Sequence, residues 1–261
     1  AANAPVVLNG SLKIEETRAV QGISAKLNTI AKIRGEYVVA SKYDFWFLNA
    51  DLSPKFHAAM DPWFSANVLD LVGITALDKD AYVLMGSNKS LLRVRQNPEA
   101  DDVQGWPNFT AGRSHIEAVG GLGRARIDTE RAKFSYIHSS ATDGRYVFMA
   151  TVPDNKNKKQ FVISKALMKD WMLSGEFVPT AEMLKKDRSL GELYVTGMVY
   201  EDGKLYAVSK NWNVLVVIDV AQEAVVEAWG LPEELTDIRG LVKDGSTFEV
   251  IDANRVVKLT M

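Results

Sequence analysis

One pattern recurs along the chain and limits what it can become: an apolar run, a tight polar turn, a second apolar run, a polar break and a third apolar run. The clearest copy spans residues 195–220. There Val-Thr-Gly-Met-Val-Tyr leads through Asp202-Gly203 into Leu-Tyr-Ala-Val-Ser and, past Lys210-Asn211-Trp212-Asn213, into Val-Leu-Val-Val-Ile-Asp-Val. Asp-Gly between apolar segments is a strong hairpin signal, because both central residues of a type I′ turn need positive φ. The signal returns at Asp143-Gly144 and Asp244-Gly245, and in weaker form at Arg34-Gly35 and Lys79-Asp80. The second strands then align as Tyr37-Val-Val-Ala-Ser-Lys, Tyr82-Val-Leu-Met-Gly-Ser, Tyr146-Val-Phe-Met-Ala-Thr, Leu205-Tyr-Ala-Val-Ser-Lys and Thr247-Phe-Glu-Val-Ile-Asp. Each copy reads as a three-strand meander, and there are five.

The anchors Gly35, Asp80, Gly144, Gly203 and Gly245 stand 45, 64, 59 and 42 residues apart. The short spacings fit one four-stranded propeller blade, at roughly 40–50 residues. The long ones imply insertions near 97–130, which carries Pro98, Pro107 and several glycines, and near 180–192, which is polar and lysine-rich. A fourth, outer strand follows most meanders, as in Lys55-Phe-His-Ala-Ala-Met and Val225-Val-Glu-Ala-Trp. The last copy reaches Met261 with only three strands. The alternating segment Ser11-Leu-Lys-Ile-Glu is therefore expected to supply its outer strand, which would close the ring and remove the open edges.

On these repeats the chain resembles the broad β-propeller superfamily over nearly its whole length, with turns similar to those of NHL-type and quinoprotein-like repeats. It has neither a WD signature nor a kelch double glycine. The expectation is an all-β, single-domain propeller over residues 1–261, with five blades of four antiparallel strands closed by the N-terminal strand. A large sandwich, or two small β domains, is the rival. A helix competes for residues 181–190 behind Thr180 as N-cap. Strand–helix–strand alternation is not seen, which argues against a doubly wound α/β fold.

Composition narrows the function classes. Hydrophobic residues at 47% and charged residues at 25% suit a folded globular chain. The net charge of -2 gives no long-range pull toward nucleic acid, and no apolar stretch is long enough to span a bilayer. Zero cysteines exclude thiolate nucleophiles and thiolate metal sites. The opening Ala-Ala-Asn-Ala-Pro fits a mature end left by signal-peptide removal or a trimmed chain, and the first favours a periplasmic or secreted location.

The resemblance also implies where a ligand would meet the protein: at the face where the innermost strands begin, around the central channel. Lys26, Asn28, Asp70, Tyr136, His138, Thr196, Asp237 and Arg239 collect there, a ring of convergent polar groups of the kind a small-ligand site needs. The plainer reading is that they hydrogen-bond one another and channel water. Trp212, in the polar break between two strands, is the candidate for an exposed contact residue.

Catalytic signals are weaker. Asp70, Glu192 and Asp237 could meet across the mouth as a glycosidase-like acid set, but the glycosidase resemblance wants an acid in the first inner strand, and Ala25-Lys-Leu-Asn-Thr-Ile has none. His57, His115 and His138 lie on different predicted blades, so no histidine metal site is expected, and calcium on channel carbonyls and carboxylates is the one metal left open. Gly120-Gly121-Leu122-Gly123-Arg124-Ala125-Arg126 lacks the strand-before, helix-after setting of a dinucleotide fingerprint and reads as an insertion loop. The lysine-rich hairpin 154–159 reads as a solvated tip, and no Gly-x-Ser-x-Gly occurs. The functional expectation is a soluble, extracytoplasmic binding module for a protein partner or small ligand. A glycosidase-like or metal-dependent lactonase-like hydrolase is the alternative.

Overall fold

A computed structural model describes residues 3–59, 68–76, 81–95, 116–118, 127–131 and 133–261. The chain opens with β1 (Gly10–Ser11) and β2 (Lys13–Ala19). Five meanders follow: β3 (Thr29–Ile33), β4 (Glu36–Ala40), β5 (Asp44–Leu48) and β6 (Pro54–Ala59); β7 (Leu71–Ala76), β8 (Ala81–Gly86), β9 (Leu91–Arg95) and β10 (Ile116–Ala118); β11 (Ile137–Thr142), β12 (Tyr146–Thr151), β13 (Ile163–Leu167) and β14 (Met172–Phe177); β15 (Val195–Glu201), β16 (Lys204–Ser209), β17 (Val214–Asp219) and β18 (Ala224–Gly230); and β19 (Ile238–Asp244), β20 (Thr247–Asp252) and β21 (Arg255–Thr260). The first four sets each form a sheet in sequence order, and the fifth is completed as β19-β20-β21-β2.

The sheets are blades of a ring. Their first strands pack side by side, β3 on β7, β7 on β11, β11 on β15, β15 on β19, and β19 back on β3. Each blade packs both faces against neighbours, so middle strands are apolar on successive positions instead of alternating. Val214 through Ile218 are all buried. Five apolar clusters occupy the five seams, for example Phe45, Phe47, Tyr82 and Leu84 between blades 1 and 2, and Phe148, Phe161, Leu205 and Val216 between blades 3 and 4.

The first hairpin of blade 4 turns on Asp202 and Gly203, at φ 49° and 82°, and that of blade 1 on Arg34 and Gly35, at φ 54° and 80°. Two consecutive positive φ values are what a type I′ turn demands, so the weaker Arg-Gly signal builds the same turn as Asp-Gly. The corresponding blade 2 anchor, Lys79-Asp80, lies outside the described residues.

The closing strand is where the repeat placed it, displaced by two residues: β2 runs antiparallel to β21, with Lys13 opposite Thr260 and Ala19 opposite Arg255. Residues just before it do something the repeat did not signal. β1 adds to the outer edge of blade 4, parallel to β18. The expected helix over 181–190 does not form. Its backbone bonds to the N-terminal arm instead, with Lys185 N–H donating to Pro5 O at 2.8 Å and Val6 bridging Leu184, and a 3₁₀ turn at Leu190–Glu192 follows.

A polar knot fastens the seam between blades 5 and 1. Glu249 is buried and accepts from the Tyr37 hydroxyl at 2.7 Å and from Arg18 of β2 at 3.1 Å. Burial, and then the hydrogen bond to Glu249 and its charge, push the Tyr37 hydroxyl up to about 12 against the opposing pull of Arg18. An unfolded tyrosine titrates near 10, so the folded chain holds this proton more tightly. The contribution is fully present below about pH 10 and is lost as pH rises toward about 12. Tyr37→Phe should flatten the fall in unfolding free energy across that window, read by urea denaturation at stepped pH. An unchanged slope would show that the knot does not govern alkaline stability.

Candidate functional site

Five inner strands converge at one end of the channel, and the residues before and within their first turns form two tiers. Asn28, Asp70, Tyr136, Tyr194 and Asp237 each immediately precede an inner strand, and Ile30, Val72, His138, Thr196 and Arg239 stand two positions further in. Of these ten, only Asn28, Asp70, Val72, His138 and Arg239 line the cavity at the mouth.

Lys26, Asn28, Lys42, Asp70, Val72, His138 and Arg239 line a single cavity of about 260 Å³. The sequence pointed to Lys26, Asn28, Asp70, His138 and Arg239, and the fold brings all five together. Asp237 sits beside them as a hub. It accepts from Lys210 at 2.8 Å, faces Lys26 at 3.1 Å and accepts from Arg239 Nε at 3.2 Å. Partial burial works to raise its carboxyl, but the bonds from Lys210, Lys26 and Arg239 outweigh that and hold it well below the usual carboxylate range. Asp237 is therefore a fixed anion that orders three cations.

Two cations, Lys42 and Lys210, were not singled out from the sequence. Both follow a serine at the end of a second strand, in Ala40-Ser41-Lys42 and Val208-Ser209-Lys210, so the repeat alignment itself places them on this face. Lys26, Lys42, Lys210 and Arg239 thus surround two carboxylates, Asp70 and Asp237. Lys42, Asp70 and His138 form no side-chain hydrogen bond or ion pair among the described residues. Burial, and then the Arg239 charge, lower the His138 pKa, while Asp70 opposes them. The shift favours the neutral ring, which can donate one hydrogen bond and accept another.

Other expected positions fall elsewhere. Thr196 is buried, and its hydroxyl donates to Ile238 O at 2.7 Å, tying blade 4 to blade 5. Tyr136 stands at the rim, 42% exposed, with Lys156 Nζ 5.2 Å from its ring centre. Trp212 corrects the sequence reading: it is only 5% exposed and packs in the seam between blades 3 and 4 with Phe148 and Phe161. Its backbone N–H donates to Ser209 Oγ at 3.4 Å, and Asn213 beside it takes φ 54°.

Of the three hydrolase acids, Asp70 lines the cavity, and the other two are engaged by cations. Glu192 accepts from Arg188 at 2.6 Å, and Asp237 is held by its three cations. Among the described residues no three His, Asp or Glu side chains gather as metal ligands. His57 pairs with Asp44 at 2.9 Å on an outer edge and stacks on Trp46. His115 and the Gly120–Arg126 loop lie outside the described residues. Below the mouth the channel continues as a space of about 290 Å³ past Ser139 and Ser140, whose buried hydroxyls have no protein partner. Among the described residues no helix is long and apolar enough to cross a membrane.

No protein-family model matches the sequence, and no curated protein does. The fold does have solved counterparts. A glutaminyl cyclase from Myxococcus xanthus superposes with a TM-score of 0.62 at 12% identity, over 98% of this chain and 97% of that one. The WD40 propeller domain of Doa1 gives 0.50 at 8% identity, over 93% of this chain and 66% of that one. At such identities the likeness is one of architecture, and together with the five-sheet ring it identifies the chain as a five-bladed β-propeller.

Proposed function

We propose that this propeller is a binding module whose channel mouth holds an anionic group of a small ligand or protein partner. The observation that carries the reading is the charge of the cavity: Lys26, Lys42 and Arg239 line it with one carboxylate, Asp70, while Lys210 pairs with Asp237 beside it, and Lys42 has no acidic partner there, in a chain whose net charge is -2. Local excess of one sign in a walled concavity concentrates ligands of the other.

Succinate and inorganic phosphate, titrated at low ionic strength and neutral pH, are expected to raise the melting temperature. At a hundredfold excess over Kd, binding to the folded state alone adds about 2.7 kcal/mol. Arg239→Ala and Lys42→Ala should each weaken the response at least about fivefold, and added salt should erode it. No stabilisation by either anion would reject the reading.

A second reading rests on a specific pair. His138 is biased toward its neutral form beside Asp70, neither is spent on a hydrogen bond, and the counterpart that matches end to end is named a glutaminyl cyclase. On this reading His138 moves a proton at the mouth during cyclisation of a glutaminyl group with release of ammonia. Ammonia release from a peptide beginning with glutamine, lost in His138→Ala, would support it. No release at micromolar enzyme would leave the binding module.

A further inference from the structure

We propose that the anion taken by the mouth belongs to an acidic peptide segment carrying apolar side chains, docked across the channel face. The inference rests on the anion reading above and adds what lies beside the cavity. Among the described residues, the exposed aromatic rings are Phe134, Tyr136 and Tyr194, at 69%, 42% and 42%. All three fall on the strand-start face, in the segments leading into β11 and β15. Clustered exposed aromatics on one face of a soluble domain mark an interaction surface.

The face is divided in composition. Blades 3 and 4 contribute the rings, while Lys26 and Lys42 of blade 1, Arg239 of blade 5 and Lys210 of blade 4 contribute the charge. Cations also border the rings: Lys133 Nζ lies 5.7 Å from the centre of Phe134 and Lys156 Nζ 5.2 Å from that of Tyr136. Lys158 and Lys159 continue this border in the turn after the Asn155–Asn157 3₁₀ segment. A ligand matching this pattern is negatively charged at one point and apolar beside it.

Size selects the class. The cavity of about 260 Å³ lies just below the roughly 300–1,000 Å³ of pockets that enclose whole drug-sized ligands, so it takes a short acidic group and not a large ligand entire. Tyr136 and Tyr194 stand outside it on neighbouring blades, where apolar side chains flanking the acidic one would meet them. Charge at the centre, from Lys26, Lys42 and Arg239, and exposed rings beside it offer a peptide both an anion-binding point and aromatic contact area.

Fluorescence anisotropy of a fluorescein-labelled Gly-Ser-Glu-Phe-Glu-Phe-Gly-Ser peptide, with unlabelled succinate and the glutamine counterpart of the peptide as competitors, tests this. The acidic peptide should bind at least about tenfold tighter than succinate, and the glutamine peptide at least about tenfold more weakly than the acidic one. The exposed-site double variant Tyr136→Ser, Tyr194→Ser should abolish the advantage over succinate while leaving succinate affinity unchanged. Equal affinity for peptide and succinate, or a double variant that keeps the difference, overturns the peptide inference and leaves the anion mouth standing. Binding of neither probe overturns both.

Discussion

A chain starting at Val20 is expected to lose cooperative folding altogether. The segment 3–19 makes contacts at three seams of the ring. Ala4 and Val6 are buried in the cluster between blades 3 and 4, and Leu12 in the one between blades 4 and 5. Arg18 satisfies the buried Glu249 at the seam between blades 5 and 1. Burying one Val or Leu contributes about 1.5–3 kcal/mol, and leaving a buried charge unpaired costs a comparable amount or more. Together these approach the roughly 5–15 kcal/mol that holds a whole domain folded.

The loss is also topological. Without β2, the backbone edge of β21 opens to solvent, and without β1 so does that of β18, where Asn9 now bonds Ala228 from both its backbone and its side chain. Two exposed edges invite pairing between copies. Circular dichroism melts and size-exclusion chromatography should show a broad, non-cooperative transition and aggregation. A synthetic peptide of residues 3–19 added in trans should restore part of the cooperativity. A truncated chain that melts sharply within about 2 kcal/mol of the full one would show that the ring does not depend on this closure.

That closure was readable because a count failed to balance: the fifth meander had three strands and the opening segment had no blade. The blades were readable for a similar reason, since two positive-φ residues between apolar runs have few structural solutions, even when Arg34 takes the place of an aspartate. Packing between blades was not. Trp212 sits in a polar stretch, Lys210-Asn211-Trp212-Asn213, and only its burial with Phe148 and Phe161 shows that the indole serves a seam. Residues 181–190 carry helix-forming side chains, yet Lys185 and Leu184 are claimed by the N-terminal arm, a partner about 180 positions away that no local pattern announces. At the mouth, Arg239 and His138 were legible as polar residues at the starts of inner strands. Lys42 and Lys210 were hidden because each reads alone as an ordinary surface lysine, and only the superposed blades bring them to one rim.

The second large effect is expected at Gly197, where the inner strands of blades 4 and 5 meet. A Cβ built there would lie 2.4 Å from the carbonyl carbon of Gly240, 2.6 Å from its oxygen and 2.7 Å from its Cα. All three are backbone atoms, so relief requires moving β15 or β19. Neither moves freely, because Gly240 adopts φ +70° and a Cβ on it would come within 2.7 Å of Ile30 N in blade 1. The strain at Gly197 therefore passes around the ring. Overpacking in a tight interior typically costs about 1–3 kcal/mol and more where backbone must shift, which puts Gly197→Ala at about 2–4 kcal/mol and Gly197→Val beyond it.

Two controls separate steric clash from backbone conformation. Gly203, at φ +82° with nothing within 4 Å, should cost only the left-handed penalty of about 1–2 kcal/mol on change to alanine. Gly175 in β14 has open space and no positive φ, so Gly175→Ala should shift stability by less than about 0.5 kcal/mol. Urea midpoints for the three alanine variants should fall in that order. A Gly197→Ala protein as stable as the Gly203→Ala protein would mean that the inner strands can part without cost. The contact that narrows the channel would then be too soft to hold His138 and Arg239 in fixed register at the mouth.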